Sequence, residues 1–168
     1  MLVLRCTRKL LDRVGPPVAD PPASTTLLGD WYAKPFAIAQ KRFILLVSAE
    51  TRIAVVMPGR DVANLPRNFP DALAVVLARL GIPADAIQRE VTASRDVVLA
   101  TTDSRSLLGT LNDGASWLKF RQRDRSDVDV VAMSVSLCHS PSGALGFRFP
   151  ADLARGLFGL ESYRRALS

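Results

Sequence analysis

The stretch "AIAQKRFILLVSAETRIAVVMPG", residues 37–59, decides the fold. Two apolar, β-prone runs, Phe43–Val47 and Ile53–Met57, are separated by the polar "SAET" and followed by Pro58-Gly59. Short runs of this kind bounded by turn residues read as strands, so the stretch predicts an antiparallel hairpin within a meander of two or three strands.

Upstream, "LVLR" at Leu2–Arg5 reads as a short strand, with Thr7 as N-cap of a helix carrying Leu10, Leu11 and Val14. Residues 15–26 hold four prolines and no periodicity, which predicts an exposed, extended loop. Downstream, "LPRNFPDALAVVLARLGIP" carries Leu73, Val76, Leu77 and Leu80 at helical spacing, with Pro70 expected in the first turn and Gly81 as terminator. "ADAIQREV" adds another turn or two, and "RDVVLATT" reads as a strand leading into a helix that starts near Ser104.

The segment 128–137 fits both periods, and the helical reading is the one taken. Residues 127–168 read as a C-terminal extension with a short terminal helix after Pro150. Strands separated by helices predict a single α+β domain over 1–168, with a small, mostly antiparallel sheet and a β-hairpin packed against several helices.

The composition, 48% hydrophobic and 23% charged over 168 residues, is that of a globular chain able to bury its own core. Basic residues interrupt the first apolar stretch and no run is long enough for a membrane span, so a cytoplasmic location is expected and no membrane partner. Two cysteines and one histidine are too few for a disulfide framework or a four-ligand zinc site, so neither a metal nor a cofactor is expected. "LCHS" reads as a half-buried Cys138 thiol beside a surface His139.

The net charge of +6 is uneven, +5 over residues 1–60, −1 over 61–100 and +2 over 101–168. Basic character gathers at Arg5, Arg8 and Lys9, and again at Lys119, Arg121, Arg123 and Arg125, where Asp124, Asp127 and Asp129 dilute it. A positive field attracts nucleic acid and small anions alike.

Two stretches are the places for a function. "DSRSLLGTLND", residues 103–113, puts Leu107 and Leu111 on one helical side and Arg105, Gly109 and Asn112 on another. A glycine inside a helix costs about 1 kcal/mol relative to alanine, which implies the close approach of a backbone or a ligand there. Caps at Asp103 or Ser104 and solvated Asn112 and Asp113 are the plain alternative. "GDWYAK", residues 29–34, offers Trp31 and Tyr32 beside Asp30 either as a stacking surface or as the seal of a core edge. There is no GxxxxGK[ST] loop, no GxGxxG and no Gly-x-Ser-x-Gly elbow, which argues against nucleotide binding by a standard motif and against hydrolysis by a triad.

Together "VLRCTRKLL", "LLGDWYA" and "TTDSRSLLGTLND" resemble, in the same order, a bacterial family known as domain of unknown function 6933, over roughly residues 2–120. The resemblance singles out Arg5, Cys6, Thr7, Lys9, Gly29, Asp30, Trp31, Tyr32, Arg105, Ser106, Gly109, Asn112 and Asp113, and brings no activity with it. Polar residues from three segments imply a shared site. If Leu2–Arg5 pairs beside Val97–Thr101, then Arg5, Lys9, Arg105 and Asn112 meet Asp30 and Trp31 at one end of the sheet.

Three readings follow. The first is a binding or accessory module using these residues to hold a protein partner or an anionic ligand. The second is a nucleic-acid-associated protein of a mobile-element or toxin–antitoxin type, with Arg8, Lys119, Arg121, Arg123 and Arg125 on phosphates. The third is an enzyme with Arg105 and Asp30 or Asp113 as working groups, its reaction undetermined.

Overall fold

Five strands form one sheet in the order β4-β3-β2-β1-β5 in the computed structural model, which describes residues 1–125 and 127–163. They are β1 (Leu2–Cys6), β2 (Trp31–Ile38), β3 (Lys41–Ser48), β4 (Ala54–Pro58) and β5 (Val97–Thr101). The predicted hairpin is β3 and β4, with Leu45 opposite Val56, and β2 joins β3 in the same antiparallel sense to complete the meander. The sheet is mixed, not purely antiparallel, because β1 pairs in parallel with both β2 and β5. Parallel pairing needs long crossovers, and the residues between these strands supply them as helices and the proline-rich loop.

The helices are α1 (Arg8–Val14), α2 (Leu65–Arg79), α3 (Ala84–Ala93), α4 (Arg105–Gln122), α5 (Val130–Cys138) and α6 (Pro150–Leu157). Alternate strand residues face opposite ways, so the sheet builds two cores. Leu2, Leu4, Trp31, Ile44 and Val55 face Leu10 of α1 and Phe69, Leu73 and Leu77 of α2. Tyr32, Phe36, Leu45, Val47 and Val56 face Leu107, Leu111 and Leu118 of α4 and Met133 of α5. Burial on both faces is why β3 reads as an unbroken apolar run although it is antiparallel.

Two local expectations need correction. The helix α2 begins at Leu65, a turn earlier than expected, so Pro66 occupies its first turn and Pro70 lies inside it. Thr7 does precede α1 in extended conformation, but its side chain makes no capping bond and its hydroxyl is buried without a partner. Of residues 128–137, those from Val130 onward are helical as read, in α5, which is entered through Asp129 accepting from the backbone N–H of Val131 and Ala132. Residues 164–168 of the expected extension lie outside the described residues.

Both sheet edges are closed. At the β5 edge the proline-rich loop, largely exposed as expected, donates from Val18 N–H to the Leu99 carbonyl at 2.8 Å. At the β4 edge α5 supplies side chains: Val56 N–H donates to Ser134 Oγ at 2.8 Å, and Ala54 N–H to Cys138 Sγ at 3.3 Å. The outward N–H groups of residues i and i+2 on a strand are spaced about as far apart as side chains i and i+4 on a helix, so the match is geometric. Cys138 is therefore fully buried rather than half-buried, and burial pushes its thiol up to about 12.

Replacing Ser134 with Ala leaves the buried Val56 N–H unpaired. The expected cost is about 1–3 kcal/mol by urea unfolding, against near zero for Ser136→Ala on the same helix. Equal effects of the two would show that the hydroxyl does not close the edge.

Candidate functional site

At the end of β1 a part of the motif set, Arg5, Asp30 and Tyr32, comes together, without Lys9, Arg105, Asn112 or Trp31. Arg5 donates through Nε to Asp30 at 2.7 Å and through Nη1 to the Thr101 carbonyl at 3.1 Å, with the Asp103 carboxylate also 3.1 Å away. Tyr32 donates its hydroxyl to the other oxygen of Asp103. Ser24, from the proline-rich loop, donates to Asp30 at 2.6 Å and accepts from Val3 N–H. Burial works against the Arg5 charge, but the hydrogen bond to Asp30 and the fields of Tyr32, Asp103 and Asp30 outweigh it and raise its pKa.

This cluster is internally satisfied. It ties β1 to the entry of β2, the exit of β5 and the loop, and leaves the Arg5 fork engaged rather than free for a ligand. Trp31 is wholly buried, with Phe69 edge-on at 4.9 Å, so it seals the core and offers no face for stacking. Adjacent strand residues point to opposite faces, which is why Trp31 and Tyr32 part company.

The remaining candidates lie elsewhere. Arg105 and Ser106 are exposed in the first turn of α4, which is capped by Ser104 accepting from Leu107 N–H. Asn112 accepts from Lys34 Nζ at 2.6 Å. Arg8, Lys9, Lys119, Arg121, Arg123 and Arg125 are exposed. Gly109 does not admit a neighbouring backbone, since nothing lies within 4 Å of where its Cβ would be. Gly114 is the tightly packed glycine of α4, 3.2 Å from a Leu45 methyl by the same measure.

What Gly109 faces is a cleft of about 470 Å³ between α4, the β3–β4 turn and residues 140–144. Leu45, Val47, Ala54, Trp117 and Leu137 make its apolar wall, and Ser106, Thr110, Asp113 and Arg52 its polar one. Arg52 was not legible as a site residue. It sits in a turn locked by Ser48 and Thr51, whose side chains bond one another and the turn backbone. That turn forces Arg52 to φ +63°, a left-handed conformation costing roughly 1–3 kcal/mol in a non-glycine residue.

The Arg52 guanidinium reaches Ser106 and Thr110 hydroxyls at 3.3 Å each, and its Nε is buried without a partner. Burial pulls its pKa down, with only the Tyr32 field opposing. No carboxylate lies within ion-pair distance of it among the described residues. Among the described residues, no group of three or more His, Cys, Asp or Glu gathers as a metal site. No helix there is long and apolar enough to cross a membrane.

Burial first, then the hydrogen bond to Asp103 and its charge, raise the Tyr32 pKa well above the usual tyrosine value. A raised folded-state pKa means stability present below about pH 10 and lost as pH rises through the folded value. Tyr32→Phe is therefore expected to remove this alkaline step from a pH series of urea midpoints. Persistence of the step in the variant would assign it to another group.

No curated protein matches the chain. The profile of the family described as Domain of unknown function (DUF6933) matches residues 3–153 of the 168, further than the stretch that carried the resemblance, and the chain belongs to that family.

Proposed function

We propose that the domain is a binding module whose α4 cleft takes a small ligand carrying an anionic group on an apolar body. The observation that carries this is Arg52: a half-buried guanidinium held in strained backbone, hydrogen-bonded only at long range to neutral hydroxyls, with one N–H unpaired. A charge without a counter-charge in such a place is costly, and an oxyanion accepting from the guanidinium fork would offset that cost. The apolar wall beside it fits the usual pattern of ligand pockets, a largely hydrophobic lining with a few placed polar groups.

Gly109 supports the same reading. Its cost to the helix has no packing explanation, whereas a side chain there would project into the cleft. Ser106 and Asp113, both from the motif on α4, flank it and offer a hydroxyl and a carboxylate to the ligand's polar groups.

Titration of the folded protein with 8-anilinonaphthalene-1-sulfonate, an apolar sulfonate, should give saturable binding at one site. Arg52→Gln removes a charged hydrogen bond and is expected to weaken it roughly 10- to 150-fold. Gly109→Leu should abolish binding by filling the cleft, while Gly109→Ala should raise stability by about 1 kcal/mol. Dye binding that ignores both Arg52→Gln and Gly109→Leu would refute the reading.

A further inference from the structure

A second surface lies on other residues of α4 and goes beyond the cleft. Lys34 on β2 is held against Asn112 by the 2.6 Å bond. Lys119 follows seven residues later on the same side of α4, about 10 Å along the axis. Lys9 projects from the first turn of α1. Burial, and after it the charges of Lys119 and Lys9, hold the Lys34 ammonium below its ordinary pKa. None of the three is in an ion pair among the described residues.

Further along α4, guanidinium groups stand over rings. Arg121 lies 5.1 Å from the Trp117 centroid, and Arg123 lies 5.1 Å from that of Phe120. Phe120 is 65% exposed, an unusual position for a large ring on a helix whose opposite side already fills a core. The acid nearest this run, Asp124, approaches Arg123 at 3.5 Å, and both are largely exposed. Such a pair contributes little in water and leaves the Arg123 charge largely available.

We propose that the outer face of α4, from Lys34 and Asn112 to Phe120 and Arg123, binds single-stranded nucleic acid. Phosphates lie on Lys9, Lys34, Lys119 and Arg123, and an unpaired base stacks on Phe120. Like charges gathered with few counter-charges point to a polyanion, and an exposed ring beside a guanidinium adds a platform that any base can use. A duplex keeps its bases stacked inside and cannot engage Phe120, which selects a single strand over a duplex.

The test is fluorescence anisotropy of the full chain with labelled oligo(dT), oligo(U), a duplex of equal length, and phosphatidylserine vesicles as competitor. Single strands should bind at 50 mM salt and lose roughly 50-fold by 200 mM if four phosphates are contacted. The pair Lys34→Gln and Lys119→Gln should flatten that dependence. Phe120→Ala should weaken single-strand binding roughly 5- to 150-fold while leaving the thermal midpoint unchanged, since the ring is exposed. Absence of single-strand binding at 50 mM salt, equal binding of duplex, or displacement by vesicles with no effect of Phe120→Ala would each overturn the proposal. Loss of oligonucleotide binding with retained dye binding in the cleft would leave the two sites separate.

Discussion

A sheet buried on both faces exposes unpaired backbone only at its two edges, and closing those edges is the constraint on which this structure depends. Core burial supplies the driving force, roughly 1.5–3 kcal/mol for each large apolar side chain taken from water. It does not by itself stop β4 or β5 from pairing with another chain. The closure is done with unlike means: a proline-rich loop donating to Leu99, and a helix whose serine and cysteine reach the N–H groups of Val56 and Ala54. The second device also fixes where α5 lies, and with it one wall of the cleft, since Leu137 belongs to the turn between Ser134 and Cys138.

The other organising contact is the Arg5 cluster. β1 is the central parallel strand between β2 and β5, and its arginine binds the carboxylates that precede β2 and follow β5. Because Asp103 stands just before the α4 cap, the bond from Tyr32 and the bridge from Arg5 set where that helix leaves the sheet. The position of α4 over β2 and β3 then places Ser106 and Thr110 against the Arg52 guanidinium. A network that is itself closed to ligands thus determines the geometry of one that is open.

Much of this was legible before any coordinates, for stated physical reasons. The run Phe43–Val47 read as a strand, and Leu107 and Leu111 marked the buried side of α4, because periodicity reports burial directly. With β1 taken to lie beside β5, the idea that separated polar motifs share a place brought Arg5 to Asp30 but misplaced Lys9, Arg105, Asn112 and Trp31. The parallel sense of β1 was not legible, since pairing direction is set by crossovers and not by any local pattern. Trp31 and Tyr32 could not be told apart by type, as only the strand register decides which of two neighbours faces which core.

Arg52 is not legible in the sequence because nothing in "SAETRI" marks it: a charged residue after a polar turn is usually a solvated one. Its meaning comes from three-dimensional facts, a left-handed backbone and a guanidinium pressed against two hydroxyls of a helix far along the chain. Gly109 presents the complementary case, a residue whose cost was legible but whose reason was not. Both break a local rule at the same cleft, one by strain and the other by lost helix propensity, and at Gly109 no packing compensates. Departures of this kind are expected where function, rather than stability, selects the residue. That two of them line one cleft is a stronger argument for a binding site there than the polarity of its wall.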